Sequence, residues 1–174
     1  MFDKEYSFRG SHAEKAIKLT ADFDGNRNKL FKRNLDVYIM APIIGFLYQE
    51  KDELDKGSET TKIFPEQLIN EQSTLQFNYR LIMLLDSKHE MSFDERVNKA
   101  FRYYGSEKAR LDEVLYEQYV LGGVNILHRK LIESAKSEED YLANLYDFIE
   151  EFDERYNQLV STEDISNLCR LARS

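Results

Sequence analysis

Residues 30–48 read LFKRNLDVYIMAPIIGFLY, polar at the start and almost entirely apolar from Val37 onward. An amphipathic helix has one wet face, whereas a helix that is apolar all round is buried all round. The apolar run from Val37 to Leu47 is too short to cross a bilayer, which needs about 20 residues. We therefore predict a central helix here, with the other helices packed about it.

Two residues of this run, Pro42 and Gly45, are unfavourable inside a helix. Proline removes one backbone hydrogen bond and clashes with the preceding turn, at a cost of roughly 3 kcal/mol. Glycine costs up to about 1 kcal/mol relative to alanine. We predict a helix end or a kink at Pro42 and a close approach of a neighbour at Gly45, with a pocket at the kink as the alternative. Asp36 is expected to pair with Arg33 or Lys32, or to face solvent.

The length and composition indicate one helical domain. The 174 residues are 42% apolar and 32% charged, as in globular proteins, and only two are Pro and seven Gly. So few breakers favour long helices over many short strands and turns. We predict an all-α single-domain bundle of six or seven helices over residues 1–174, with an irregular N-terminal arm at 1–10 and a mobile surface loop at 51–62. The two buried central helices are predicted to contain Val37–Leu47 and Leu75–Leu85.

Caps and apolar spacing predict the other helices. Ser11, with a glutamate three residues later, can form a capping box at a helix start. Pro65 suits the first position of a helix that continues to about Asp86. An amphipathic helix with acids in its first turn begins near Ser137, and a short last helix is predicted within 161–172.

A pair of adjacent glycines, Gly122 and Gly123, interrupts the apolar stripe of a long helix predicted from Ser106 to about Glu133. Two such glycines cost on the order of 2 kcal/mol relative to alanines in a helix. We therefore predict a bend, a break or a very close helix crossing at this pair. Together with Pro42 and Gly45, it forms our candidate helix crossing or pocket. The inward stripe of this helix is predicted as Leu111, Val114, Leu115, Gln118, Leu121, Val124, Leu127 and Leu131.

Cysteine content and charge bear on the cellular location and on the class of partner. The one cysteine, Cys169, cannot form an internal disulfide. The N-terminus has no apolar signal core and no run reaches membrane length, so we predict a cytoplasmic protein without membrane contact. The net charge of −8 disfavours indiscriminate binding to nucleic acid. The charge is uneven, however: residues 1–34 hold eight Lys/Arg against five Asp/Glu, and residues 133–164 hold eleven Asp/Glu against two Lys/Arg.

No residue pattern predicts catalysis. The three histidines, His12, His89 and His128, are far apart in the chain, and each is interpreted as structural or solvated. No Glu is followed by His three residues later, as a di-iron bundle would require. No Gly-rich phosphate loop, serine-hydrolase motif or Cys/His signature occurs. We therefore predict no catalytic residue, no metal and no cofactor, although a site assembled from distant segments stays open.

The N-terminal third combines basic and aromatic residues. Contact with phosphates would need the cations on one face, and helical spacing groups two of them with His12 and three others together. This surface is a candidate for contact with DNA or with a protein partner. The candidate residues are Arg9, Lys15, Lys18, Lys29, Lys32 and Arg33.

Three segments together resemble a known family: Phe8–Ala13, Phe31–Asp36 leading into Ala41–Phe46, and Glu117–Gly123. They are similar to small helical proteins encoded beside bacterial DNA-modification and phage-defence systems, of the type called Dnd (DNA phosphorothioation) system-associated. Pro42 departs from the small residue usual in that family. The resemblance implies an accessory component of such an operon, and no known reaction.

Three hypotheses follow. The first is a non-catalytic accessory or adaptor protein of a bacterial DNA-modification or phage-defence system. It would bind co-encoded proteins through the acidic face of Ser137–Glu154 and the Gly122–Gly123 crossing. The second is a nucleic-acid-binding protein that uses the basic N-terminal face. The third is a helical domain that binds a small ligand near Pro42 and Gly45. The sequence leaves open whether the chain forms a homo-oligomer.

Overall fold

The computed structural model describes residues 1–155 and the backbone of Tyr156, and this part of the chain is mostly helical. The prediction of a helical protein is confirmed at that level, with a two-stranded sheet added. The helix predicted within 161–172 and Cys169 lie outside the described residues. The elements in chain order are β1 (Tyr6–Arg9), α1 (Gly10–Leu19), α2 (Asn34–Tyr48), β2 (Thr60–Ile63), α3 (Pro65–Asn70), α4 (Gln72–Leu85), α5 (Phe93–Val97), α6 (Arg110–Leu131) and α7 (Glu138–Tyr156).

The sheet joins the N-terminal arm to the end of the surface loop. Tyr6 lies opposite Ile63 and Arg9 lies opposite Thr60 in an antiparallel register. Phe8 and Ile63 are fully buried and fix the two strands to the core. The prediction of an irregular arm at residues 1–10 is therefore wrong for its second half.

Helix α2 packs on α6 over the most extensive interface among the described elements. Twelve residues of α6 are buried, including Tyr119 and Leu127. Helix α4 buries only one stripe, since Phe77 is 63% exposed and Leu85 is 56% exposed. The structure therefore does not confirm Leu75–Leu85 as the second buried central helix.

The α2–α6 crossing depends on glycines from both helices. A Cβ atom at Gly45 would overlap the carbonyl oxygen of Tyr119, and a Cβ atom at Gly123 would overlap that of Ala41. Gly122 faces the backbone of Glu50 in the same way. Because these are backbone atoms, no side chain can move aside to make room. The structure has the close approach expected at Gly45 and, of the bend, break or close crossing predicted at the glycine pair, the close crossing.

Helix α2 continues through Pro42, which is buried, so the alternative in which the helix ends there is wrong. At its start, the predicted pairing of Asp36 with Arg33 is confirmed. The backbone N–H of Arg33 donates to Asp36 Oδ2 over 2.9 Å, and its guanidinium donates to Oδ1 over 2.6 Å. Asp36 therefore satisfies an otherwise unpaired N–H at the first turn of the central helix.

Two helix predictions differ from the structure in their bounds. The helix predicted from Pro65 to Asp86 does begin at Pro65, but it is interrupted at Glu71, which separates α3 from α4. The long helix begins at Arg110 rather than Ser106, after a short 3-10 turn. Apolar spacing continues across such irregular turns and therefore does not reveal them.

The start of α6 is more exposed than predicted. Leu111 is 79% exposed and Val114 is 52% exposed, although both were assigned to the inward stripe. The stripe is buried only from Leu115 onward, where α2 and the N-terminal arm cover it. At the start of α6 the side of Leu111 and Val114 therefore faces the surface, whereas Asp112 on another side of the same turn is buried.

Candidate functional site

The predicted basic face is divided among separate places. Lys29, Lys32 and Arg33 converge on a cavity of about 300 Å³, which Lys62 of β2 also lines. Three of these four cations, all except Lys32, lie within 3.4 Å of a carboxylate. Much of the positive charge at this cavity is therefore neutralised, and DNA contact through it stays a prediction.

The remaining predicted cations lie elsewhere. Lys15 of α1 donates a hydrogen bond to Asn125 Oδ1 of α6 over 2.7 Å. Burial lowers the pKa of His128, and the positive charges of Lys18 and Lys15 lower it further. Arg9 is exposed on β1. The structure thus places Lys29, Lys32 and Arg33 at one cavity and Lys15 and Lys18 near His128, and it leaves Arg9 apart on β1.

A cleft of about 750 Å³ opens between the N-terminal arm, α2, the loop after α2 and the first half of α6. Its walls include the rings of Tyr6 and Tyr38 and the side chains of Leu54 and Leu121. Ligand sites commonly have this size and combine apolar walls with a few polar groups. Carboxylates line the cleft more often than basic groups, which are Lys4, Arg110 and the amino group of Met1. The carboxylates are those of Asp3, Asp52, Glu53, Glu113 and Glu117.

Among the acids of this cleft, Glu117 has the most strongly shifted pKa. The hydroxyl of Tyr6 donates to Glu117 Oε1 over 2.5 Å, whereas Oε2 accepts no hydrogen bond from the described residues. Burial raises the pKa of Glu117 to about 7, against the opposing effect of the Tyr6 hydrogen bond. A strongly shifted carboxyl group in a cleft is typical of a functional site.

The loop that forms one wall of the cleft is tied to both neighbouring helices. His12 Nε2 lies 3.1 Å from Asp52 Oδ2, and the amide of Asn125 donates to the same oxygen over 2.6 Å. Burial lowers the pKa of His12, so at pH 7 its neutral ring donates through Nε2 to the carboxylate. Further along, the backbone N–H of Ser11 donates to Asp55 Oδ2 over 2.8 Å. The loop predicted to be mobile is thus fastened at two points.

Helix α7 forms a second candidate site, this time on the surface. Leu142, Tyr146 and Ile149 recur at helical spacing on one face and are 56%, 66% and 58% exposed. Ile149 also borders an apolar groove of about 250 Å³ against Met40 of α2. The helix has eight Asp/Glu residues and only Arg155 as a base. We call this surface, made of Leu142, Tyr146 and Ile149 with the acids beside them, the α7 outer face.

Other side chains attach α7 to the body. Glu151 accepts hydrogen bonds from the hydroxyl of Tyr48 over 3.0 Å and from Lys130 Nζ over 2.5 Å. The ring of Tyr141 stacks on Phe23, with centroids 5.5 Å apart. The three apolar side chains of the outer face take no part in these attachments.

The space beside Gly45 is filled by protein, and a small-ligand pocket near Pro42 and Gly45 stays a prediction. Both residues are buried, and the backbone of Tyr119 occupies the space beside Gly45. The cleft at Glu117 was missed because Glu117 was read only as part of a structural motif. One signal was present: this acid lies three residues after Val114 and four before Leu121, on the edge of the predicted inward stripe.

Comparisons with known proteins give no further assignment. The chain matches no protein-family profile, and no curated protein or solved structure is detectably similar to it. Within residues 1–156, no group of three or more His, Cys, Asp or Glu side chains could hold a metal ion. In the same part of the chain, no helix has the length and apolar content needed to span a membrane.

Proposed function

We propose that this protein is a cytoplasmic, non-catalytic adaptor that binds a protein partner through the α7 outer face. The observation that carries the proposal is the exposure of Leu142, Tyr146 and Ile149, each more than half accessible, on one side of a single helix. Isolated exposed apolar residues are ordinary, but a contiguous apolar strip with a polar border is typical of a protein-binding surface.

The charge of α7 indicates the chemistry of the partner. Glu139 and Glu150 lie beside the apolar strip and are exposed, and the helix as a whole carries eight acids against one base. A complementary partner would present apolar side chains flanked by Lys or Arg, as an amphipathic helix does in a groove. The groove beside Ile149 gives such a helix an apolar seat.

The resemblance to a known family indicates where the partner of this protein is encoded. Small helical proteins of the Dnd system-associated type are encoded beside bacterial DNA-modification and phage-defence systems. The partner is therefore expected among the proteins encoded next to this chain. In this arrangement the crossing of α2 and α6 is the scaffold, and the α7 outer face is the contact surface.

Affinity purification tests the proposal. The tagged protein is co-expressed with each co-encoded protein, in parallel with the double variant Leu142→Glu/Ile149→Glu. The native chain should retain at least one partner, whereas the variant should lose it. In the variant, two carboxylates would replace the apolar side chains and would have to be buried in the complex. Retention should also weaken as salt rises, since the flanking contacts are ionic.

Met91→Glu is the matched control, because Met91 is 89% exposed and lies away from α7. This variant gains a charge at an exposed apolar position and should keep the partner. Equal retention of the partner by the double variant and the native chain would contradict the proposal. So would a native chain that retains none of the co-encoded proteins.

A further inference from the structure

We propose that the cleft between the N-terminal arm, α2 and α6 binds a small organic cation, with an ammonium or guanidinium group against Glu117 and an apolar body against the tyrosine and leucine walls. This binding site is distinct from the α7 outer face, and its test does not depend on the adaptor function. The ligand class follows from charge, from the unused carboxyl oxygen and from the shape of the walls.

The charge of the lining favours a cation. Five carboxylates face the cleft against three cationic groups, which are the side chains of Lys4 and Arg110 and the amino group of Met1. A cleft lined mainly by one sign of charge raises the local concentration of ligands of the opposite sign. An anionic ligand would have to overcome the same field.

Glu117 provides the specific contact. Its Oε1 is occupied by the Tyr6 hydroxyl, while its Oε2 accepts no hydrogen bond from the described residues. A charged carboxylate that is partly removed from water and lacks a counter-ion is costly. A ligand ammonium or guanidinium group would complete the missing interaction with a strong charge-assisted hydrogen bond.

The walls suit an apolar or aromatic ligand body. The ring of Tyr6 lines the cleft and is backed by the buried ring of Tyr38, with the ring centroids 4.3 Å apart, and aromatic faces attract cations. Leu54, which is 51% exposed, and Leu121 complete the apolar part of the lining. The volume of about 750 Å³ accommodates a ligand larger than an inorganic ion.

A purely structural role for Glu117, as a tether between β1 and α6, explains its bond to Tyr6. That role needs only one acceptor oxygen, and a neutral glutamine would supply it. It needs neither the second carboxyl oxygen nor the open cleft beside it. The two roles therefore differ in what Glu117→Gln should do: the tether survives this change, whereas cation binding does not.

Three probes of one shape test the proposal: 4-phenylbutylamine, 4-phenylbutanol and 4-phenylbutanoate, which are a cation, a neutral molecule and an anion. Binding to the full chain is measured at pH 8 by NMR titration, with amide shifts reporting the location. The amine should bind about tenfold more tightly than the alcohol, and the carboxylate most weakly. Its shifts should cluster at Tyr6, Glu117 and Leu121.

The dependence on pH adds a second readout. A carboxyl group with a pKa of about 7 is mostly ionised at pH 8 and mostly neutral at pH 6. The affinity for the amine should therefore fall about tenfold over this interval, while the amine itself stays charged. The other titratable groups near the cleft are as follows. Burial raises the pKa of Tyr6, Tyr38 and the neighbouring Tyr116, so these hydroxyls do not titrate between pH 6 and pH 8. His12, which contacts Asp52, has a lowered pKa. The other charged groups that face the cleft are the amino group of Met1, which pairs with Asp3 over 3.4 Å, and the side chains of Asp3, Lys4, Asp52, Glu53, Arg110 and Glu113.

Three variants separate the contributions. Glu117→Gln should weaken binding of the amine about tenfold and remove most of its pH dependence. Tyr6→Phe removes a hydrogen bond that lowers the pKa of Glu117, so the midpoint of the pH dependence should move to higher pH. Glu14→Gln, on the exposed side of α1, is the matched control and should leave affinity unchanged. Equal binding of the three probes, no saturable binding of the amine at millimolar concentration, or an unchanged affinity in Glu117→Gln would each overturn the proposal.

Discussion

The crossing of α2 and α6 and the α7 outer face use apolar surface in opposite ways. At the crossing, Gly45 and Gly123 let two backbones touch, and the surrounding apolar residues are almost completely buried. On α7, by contrast, no described side chain is fully buried, and Leu142, Tyr146 and Ile149 are mostly exposed. Stability should therefore depend on the crossing, whereas the outer face should contribute little to it.

The cleft at Glu117 lies between these extremes. It is built from scaffold elements, but its acid is held at a cost because burial disfavours the charged form of Glu117. This comparison predicts a descending series of effects on the free energy of unfolding. Changes at the crossing should be the largest, changes at buried polar groups intermediate, and changes on the α7 outer face the smallest.

Gly123→Ala should have the largest effect. The added Cβ would overlap the carbonyl oxygen of Ala41, so the two helices must separate. We expect a loss of about 3 kcal/mol or more in the free energy of unfolding, measured by urea denaturation. Gly25→Ala is the control, because a Cβ there meets nothing within 4 Å. Equal stability of Gly123→Ala and the native chain would disprove the close crossing.

Glu117→Gln should stabilise the protein at pH 8. The pKa of Glu117 is about 7 in the folded state, against an ordinary value of 4.5. Between pH 4.5 and pH 7 the folded chain binds more protons than the unfolded chain. The free energy of unfolding therefore falls as pH rises through this interval and stays low above it. The variant does not undergo this loss, so its free energy of unfolding at pH 8 should be higher than that of the native chain by up to about 3 kcal/mol.

Denaturation curves at pH 8 and pH 5 measure this difference. The advantage of Glu117→Gln should shrink strongly at pH 5, where the native carboxyl is mostly protonated when folded. An advantage that is the same at both pH values would show that the carboxyl is not strained by burial. A variant less stable than the native chain at pH 8 would show the same.

Tyr119→Phe should cost about 2 kcal/mol. The Tyr119 hydroxyl donates to Asp86 Oδ2 over 2.7 Å, and Asp86 is only 4% exposed. Removing the donor leaves a buried carboxylate oxygen without this partner. Tyr79→Phe is a closely matched control, since the buried Tyr79 hydroxyl has no hydrogen-bond partner among the described residues. Thermal melts should show a lower Tm for the first variant only, and equal melting of the two would contradict this account.

Leu142→Glu/Ile149→Glu should have the smallest effect on folding, within about 0.5 kcal/mol of the native chain. Both side chains are more than half exposed, so little burial is lost. Circular dichroism and urea denaturation check this expectation. A large loss of stability would mean that these residues belong to the folded core, and the loss of a partner could then no longer be assigned to the contact surface.

The close packing at the glycines could be expected from the sequence because its signals are local, although a bend or a break stayed open at the glycine pair and the pairing of α2 with α6 was not predicted. Glycines at Gly45 and Gly122–Gly123 interrupt strongly apolar helices, and close packing compensates for their cost. The pairing of Arg33 with Asp36 likewise follows from a spacing of three residues at a helix start.

The cleft could not be predicted because it is assembled over a long distance in the chain. Tyr6 and Glu117 are separated by 111 positions, and their hydrogen bond depends on the pairing of β1 with β2. A strand of four residues gives too little alternation to be recognised. The exposure of Leu111 was missed for a related reason, since apolar spacing does not show where a covering element ends.

Hydrogen–deuterium exchange on the free protein and on its complex with a retained co-encoded protein tests the central claim most directly. In the free protein, the amides of Tyr119–Leu127 at the crossing should exchange most slowly. The partner should slow exchange in Leu142–Glu150 and leave the crossing unchanged. Slowed exchange at the crossing or the cleft, with α7 unaffected, would contradict the assignment of scaffold and contact surface.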